Sequence, residues 1–273
     1  MKFLLRIALL SVLWAVLSPA GMAGVGNDTL RPLLTLPVSA RYAVADNLSN
    51  IYLIRSDNAI EKYAPDGILL TRYTNNRLGE ARMLDVSNPL KVLVWYADFR
   101  TVVMLNRSLT ELGSLNLIEA GFPEVRTVAA AQDGNLWIYD EVNFRVVKIT
   151  PEGDIRYESQ ALNQLEATPA FPACMRDDGD RLFLADSTQG IFTFDVFAQF
   201  DRFYKPLYPV RSFQVIQGQL HYFSEGHIVA ERLETGSSRE IEVPAEMLDS
   251  ATPVLSPRRL LLLRKESVNV YSY

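Results

Sequence analysis

Acidic residues recur along this chain in two sets. Asp57, Asp98, Asp140, Asp186, Glu225 and Glu266 each fall in a short polar loop, and Asp46, Asp85, Asp133 and Asp178 each stand just before a strand-like run. Carboxylates are hard oxygen donors, so a ring of them on one face is a ligand set that suits Ca²⁺. An aspartate at the head of a turn also has a local task, because its oxygen accepts the amide N–H groups two or three residues on. Recurrence at equivalent places throughout the chain points to the local task. No metal and no cofactor is therefore expected.

Other groups that could do chemistry are few. His221 lies in a predicted strand and His227 in the hairpin loop that follows it, with no carboxylate at metal-ligand spacing around either, so both read as structural. Cys174 is the single cysteine and cannot form an internal disulfide; its apolar setting, "AFPACM", predicts a buried thiol rather than a nucleophile. No GxSxG, HExxH or phosphate-cradling glycine loop is present. The expectation is a protein without catalytic residues.

Composition narrows the partners. The chain has 273 residues, 48% hydrophobic and 22% charged, with a formal net charge of -5. That is enough apolar content for a packed core, and the charge gives no footing for a polyanion, so nucleic acid is not expected. At the N-terminus, Lys2 and Arg6 precede the apolar run "IALLSVLWAVL", and Gly21 and Ala23 occupy the small-residue positions of a cleavage site. The run falls short of the roughly 20 residues that span a bilayer. Residues 1–23 thus read as a removable export signal, residues 24–273 as a single domain in the periplasm or outside the cell, with no membrane span once the signal is removed.

The elements that position these residues repeat. Runs beginning at Asn50, Leu90, Asn135, Arg181, Gln219 and Arg259 share one plan: a strand rich in β-branched and aromatic residues, a polar loop, and a second strand. Their spacing of about 40 residues is the period of a four-stranded propeller blade. Flanking segments supply the missing strands, with "ARYAVADN", "RTVAAAQDG", "AFPACMRDDG" and "SFQVIQG" as small, apolar inner ones. Continuous runs such as "KVLVWY" and "RLLLL" replace strict alternation because both faces of a blade are covered. The last unit stops after its third strand, while "LRPLLTLP" (residues 30 to 37) is an orphan strand at the other end. The fold class is therefore all-β: a six-bladed β-propeller of four-stranded blades, its ring closed by an N-terminal strand. "QALNQLEA" (residues 160 to 167) reads as a short helical decoration.

The stretch "LWIYDEVNFRVVKITPEGD" resembles the NHL-repeat type of six-bladed propeller, in which a strand is followed by Asp, a polar loop ending in Asn and Arg, a second strand, and Pro or Asp with Gly. Asp140, Asn143, Arg145, Pro151 and Gly153 occupy the matching positions. "LIRSDNAIEKYAPDG" and "LADSTQGIFTFD" match in part, and the other three units are degenerate. The resemblance implies the fold and leaves two functions open. One is an exported non-catalytic scaffold that binds a protein or peptide on one rim. The other is a hydrolase acting on a sugar or lactone in the channel, as in propellers similar to the calcium-dependent lactonases.

Loops between the second and third strands of neighbouring blades open on a common rim. "WYADFR" and "YDEVNFR" bring Tyr96, Phe99, Arg100, Tyr139, Phe144 and Arg145 there, a composition that interface hot spots favour. The opposing expectation is that both phenylalanines tuck between blades and each arginine pairs with its loop aspartate. Cleavage after Ala23 is checked by the intact mass of exported protein; retention of the first 23 residues would overturn it.

Overall fold

The computed structural model describes residues 30–88, 90–165, 169 and 171–273; the expected export signal lies outside them. In chain order, β1 (Arg31–Leu36) comes first and stands apart from the blade that follows it. Blade one is β2 (Tyr42–Ala45), β3 (Ile51–Ile54), β4 (Ile60–Tyr63) and β5 (Leu69–Tyr73). Blade two is β6 (Met83–Asp85), β7 (Lys91–Tyr96), β8 (Thr101–Asn106) and β9 (Glu111–Asn116), and blade three is β10 (Val125–Ala130), β11 (Leu136–Asp140), β12 (Arg145–Ile149) and β13 (Ile155–Glu158). Blade four is β14 (Pro172–Asp177), β15 (Arg181–Asp186), β16 (Gly190–Asp195) and β17 (Phe200–Tyr204). Blade five is β18 (Phe213–Ile216), β19 (Gln219–Ser224), β20 (His227–Glu231) and β21 (Ser238–Glu242). The last sheet has β22 (Thr252–Ser256), β23 (Arg259–Leu263) and β24 (Val268–Ser272), with β1 added outside β24. Every pairing is antiparallel, and the six-bladed propeller expected from the spacing is the fold.

Closure follows the expected segment. β1 runs against β24 from Arg31 opposite Ser272 to Leu36 opposite Val268, with an irregularity between Pro32 and Leu34. Proline donates no ladder hydrogen bond, and an outermost strand tolerates it because one edge faces solvent. Leu36 is buried with Leu53, Leu261 and Val270 between blades six and one. The strand therefore joins the last blade to the first, through backbone bonds to β24 and through the core.

That core is divided among six interfaces. Leu93, Val102, Ile138 and Val147 fill the gap between blades two and three, while Trp137, Tyr139, Leu184 and Phe192 fill the gap between three and four. Alternate residues of β11 face opposite neighbours, which is why its sequence is apolar throughout. Outer strands face water on one side and are exposed accordingly, as in β13. Each fully buried Leu, Ile or Phe contributes about 1.5–3 kcal/mol of transfer free energy. Removing any one interface would expose several at once.

Side chains also tie neighbouring blades together around the axis. Tyr42 donates to Leu84 O (3.4 Å), Asp85 Oδ2 accepts Ala130 N–H (3.0 Å), and Gln132 donates to Asp177 O (3.4 Å). Cys174 sulfur accepts the Phe213 amide, Gln214 donates to Leu255 O (3.5 Å), and Ser256 Oγ accepts Ala45 N–H (2.9 Å). Each of the six junctions thus carries at least one such link. Cys174 is buried, as its setting implies, and burial pushes its thiol up, away from the reactive thiolate. Farther out, Lys62 Nζ lies over the Tyr52 ring and donates to Arg107 O (2.9 Å) on the next blade, and Lys148 Nζ lies over Trp137 and pairs with Asp133 (2.7 Å).

Turns show the local chemistry that tightens each blade. Gly190, the first residue of β16, adopts φ 146°, and a Cβ there would come within 2.3 Å of Tyr204 O, so glycine is required. Asp46 accepts the amides of Leu48 and Asn50 and the Tyr52 hydroxyl, and Asp186 accepts those of Thr188 and Gln189. These are the turn tasks expected of the recurring carboxylates. Of the segment expected to be helical, Leu162–Gln164 forms a 3-10 turn anchored by buried Leu162. Among the described residues no helix is long and apolar enough to cross a membrane.

Deleting residues 30–37 should abolish a cooperative thermal transition, because it strips β24 of its outer partner and opens the interface around Leu36. A deletion variant that melts like the intact protein would remove β1 from its closing role.

Candidate binding rim and channel mouth

The rim residues divide by side chain. Phe99 and Phe144 are 51% and 40% exposed, so neither tucks between blades. Tyr96 and Tyr139 do not join them; both are almost wholly buried, Tyr96 against blade one and Tyr139 against blade four. This corrects the expectation of a tyrosine-bearing surface. Each tyrosine lies inside a strand that is covered on both faces, and the loop begins one or two residues later. Burial pushes the Tyr139 hydroxyl up to about 12.

The arginines hold the rim together. Arg145 pairs with Asp140 (3.0 Å), the loop aspartate, and also with Glu158. Arg100 departs from that pattern and pairs with Glu124 (2.7 Å), leaving Asp98 to Arg82 (3.5 Å). Glu124 belongs to the link between blades two and three. The same link takes a hydrogen bond from Leu117 N–H to Arg100 O (2.8 Å), and Glu124 O accepts Glu141 N–H (3.0 Å). The β7–β8 hairpin, the link and the β11–β12 hairpin are therefore one continuous surface. It carries two further exposed apolar side chains that the sequence reading missed, Ile118 and Val142.

Backbone geometry at this surface is costly. Phe144 and Arg100 both adopt left-handed φ, 53° and 48°. For a residue with a bulky side chain that conformation costs about 1–2 kcal/mol, whereas Asn or Gly adopts it readily. Leu162 N–H donates to Phe144 O (2.6 Å), which holds the loop in place from behind.

The opposite face contains a second feature. Turns between first and second strands converge there on a cavity of about 800 Å³ at the mouth of the channel. Its walls include Asp46, Asp85, Arg176, Asp178, Asp180 and Arg259, drawn from four of the six blades. Arg176 closes the inner end: its Nη1 lies 3.8 Å from Asp85 Oδ2 on blade two and donates to Met175 O (2.9 Å). It also bonds the Tyr42 hydroxyl of blade one, and burial raises that hydroxyl to about 12. The guanidinium thus crosses the channel from blade four.

Neither histidine stands at this cavity. His221 lies on β19 as expected, whereas His227 begins β20 rather than sitting in the loop, its Nδ1 3.0 Å from Glu225 O and its ring stacked on Tyr208. Among the described residues no group of three His, Cys, Asp or Glu side chains is placed to hold a metal ion.

No protein-family model matches the chain, and no curated protein matches it at the level of sequence. Solved structures do share its fold. Virginiamycin B lyase from Staphylococcus aureus superposes with a TM-score of 0.63 at 11% identity, over 88% of this chain and 98% of that one. The β-propeller domain of Myceliophteria thermophila Cps50 (Swd1) gives 0.58 at 9% identity, over 90% of this chain and 100% of that domain. A chain of a nidogen–laminin complex gives 0.57 at 15% identity, over 75% and 80%. At such identities the likeness is one of fold.

His221 supplies a pH test of the blade five to six interface. Burial, with the Arg258 charge in support, lowers its pKa from the ordinary 6.5, and its Nδ1 is buried without a partner. The folded state therefore binds fewer protons than the unfolded one below about pH 6.5, so stability is complete above that pH and falls as the solution is acidified. Thermal melts between pH 7.5 and 5 should show this fall in the native protein and a shallower one in His221→Gln. Equal slopes would assign the acid sensitivity to other groups.

Proposed function

We propose that this chain is an exported, non-catalytic β-propeller that holds a protein or peptide partner on the rim built by the β7–β8 and β11–β12 hairpins. The observation that carries the reading is the set Phe99, Ile118, Val142 and Phe144, all exposed on one surface framed by the Arg100–Glu124 and Arg145–Asp140 pairs. Apolar anchors within a polar frame are the anatomy of a protein interface. A phenylalanine kept at a left-handed position supports it, since local stability alone favours asparagine or glycine there. The NHL-like unit that supplies Asp140, Asn143 and Arg145 is part of this rim. Export rests on the basic and apolar N-terminal residues.

A second reading, turnover of a sugar or lactone in the channel, is favoured by the cavity on the other face and by a lyase among the structures of like fold. Ca²⁺-dependent thermal stabilisation and metal analysis separate the two, since a calcium-dependent channel enzyme should give both.

The rim is tested by the double substitution Phe99→Ser and Phe144→Asn. Cross-linked partner recovered from the native envelope should fall by roughly tenfold or more, equivalent to about 1.4 kcal/mol, while the melting temperature holds or rises because asparagine accepts the backbone angle. Undiminished capture by a folded double variant would move the partner site elsewhere.

A further inference from the structure

Arg176 is only 7% exposed, and its compensation is incomplete. A guanidinium offers five N–H donors, and a buried one is costly unless charge and hydrogen bonds satisfy it. Its nearest carboxylate, Asp85, is 3.8 Å away and already accepts two amides, Ser87 N–H (2.9 Å) and Ala130 N–H (3.0 Å). Of the other groups around Arg176, the Tyr42 hydroxyl and Met175 O are neutral. The side chain lines the cavity, so an incoming carboxylate has a cation at the inner end to meet.

A simple anion is a poor match for the rest of the cavity. Five aspartates and three arginines line it, and the exposed Asp178 and Asp180 stand on the same blade as Arg176, at its mouth. Asp178 spends Oδ1 on the amides of Asp180 and Arg181, and Asp180 makes no side-chain hydrogen bond or ion pair among the described residues. With a rise of about 3.3 Å per strand residue, Asp178 lies about 7 Å along the channel from Arg176. We propose that this cavity binds a small zwitterion, its carboxylate on Arg176 and its protonated amine toward Asp178 and Asp180. Free ω-amino acids and short peptides share that chemistry. The site is independent of the rim and needs no protein partner.

Calorimetric titration of the purified mature protein with a matched set of probes tests it: 5-aminovalerate, glycylglycine, glutarate, 1,5-diaminopentane and 1,5-pentanediol. At least one of the two zwitterions should bind roughly tenfold tighter than glutarate or the diamine, and the diol should not bind. The tighter of the two distinguishes an amino acid from a peptide source. Arg176→Met should abolish binding. Because Arg176 also holds Tyr42 and Asp85, the exposed substitution Asp180→Asn is the second arm. It should weaken the zwitterion by several-fold, leave glutarate no weaker, and keep the melting temperature. Absence of binding by both zwitterions at millimolar concentration, diol binding equal to theirs, or zwitterion binding unchanged in a folded Asp180→Asn protein would overturn the proposal.

Discussion

Six inner strands, each with one edge unpaired, meet around a single axis, and the satisfaction of those edges is the constraint on which this propeller depends. A buried amide or carbonyl without a partner costs about as much as a lost hydrogen bond. Here each blade answers part of its neighbour's need with one side chain: Tyr42, Asp85, Gln132, Cys174, Gln214 or Ser256. Such links close only if all six blades are present. The β1–β24 pairing at the periphery and the side-chain links at the axis are therefore two parts of one closure, one made by backbone and the other by residue type.

Seen this way, several residues that looked chemically promising have already been committed. Asp85 is held by two amides and faces Arg176; Asp46 is held by two amides and the Tyr52 hydroxyl; Cys174 serves a backbone amide. The two aspartates are occupied by turn and inter-blade bonds, and burial keeps the Cys174 thiol from the reactive thiolate form. Arg176 is the exception near the axis, because it has no neighbour's backbone to satisfy on the next blade and instead crosses the channel with donors to spare.

Strands, blade count and closing segment were legible because they depend on short-range signals repeated at a fixed period. A run such as "KVLVWY" announces a strand buried on both faces. The same property hid the fate of Tyr96 and Tyr139, since a run without alternation does not mark where the strand ends and the loop begins. Phe99 and Phe144, each immediately before Arg100 and Arg145, lay on the loop side of that boundary. The pairing of Arg145 with Asp140 was local and readable; that of Arg100 with Glu124 spans a blade boundary and was not. The cavity was invisible for a stronger reason. Its wall is assembled from turns as distant as Asp46 and Arg259, and only the ring brings them together.

Closure also explains why the two faces can carry different chemistry without conflict. The rim is made by second-to-third-strand hairpins and inter-blade links, the cavity by first-to-second-strand hairpins, and β11 separates them with a side-chain layer of Trp137, Ile138 and Tyr139 that is buried throughout. A rim that spends about 1–2 kcal/mol on each left-handed Phe or Arg is tolerable because the strands beneath it are fixed by two interfaces at once. A buried, partly compensated guanidinium is tolerable at the axis for the same reason. Both costs are borne by a ring whose parts stabilise one another, and neither would persist in an open array of the same blades.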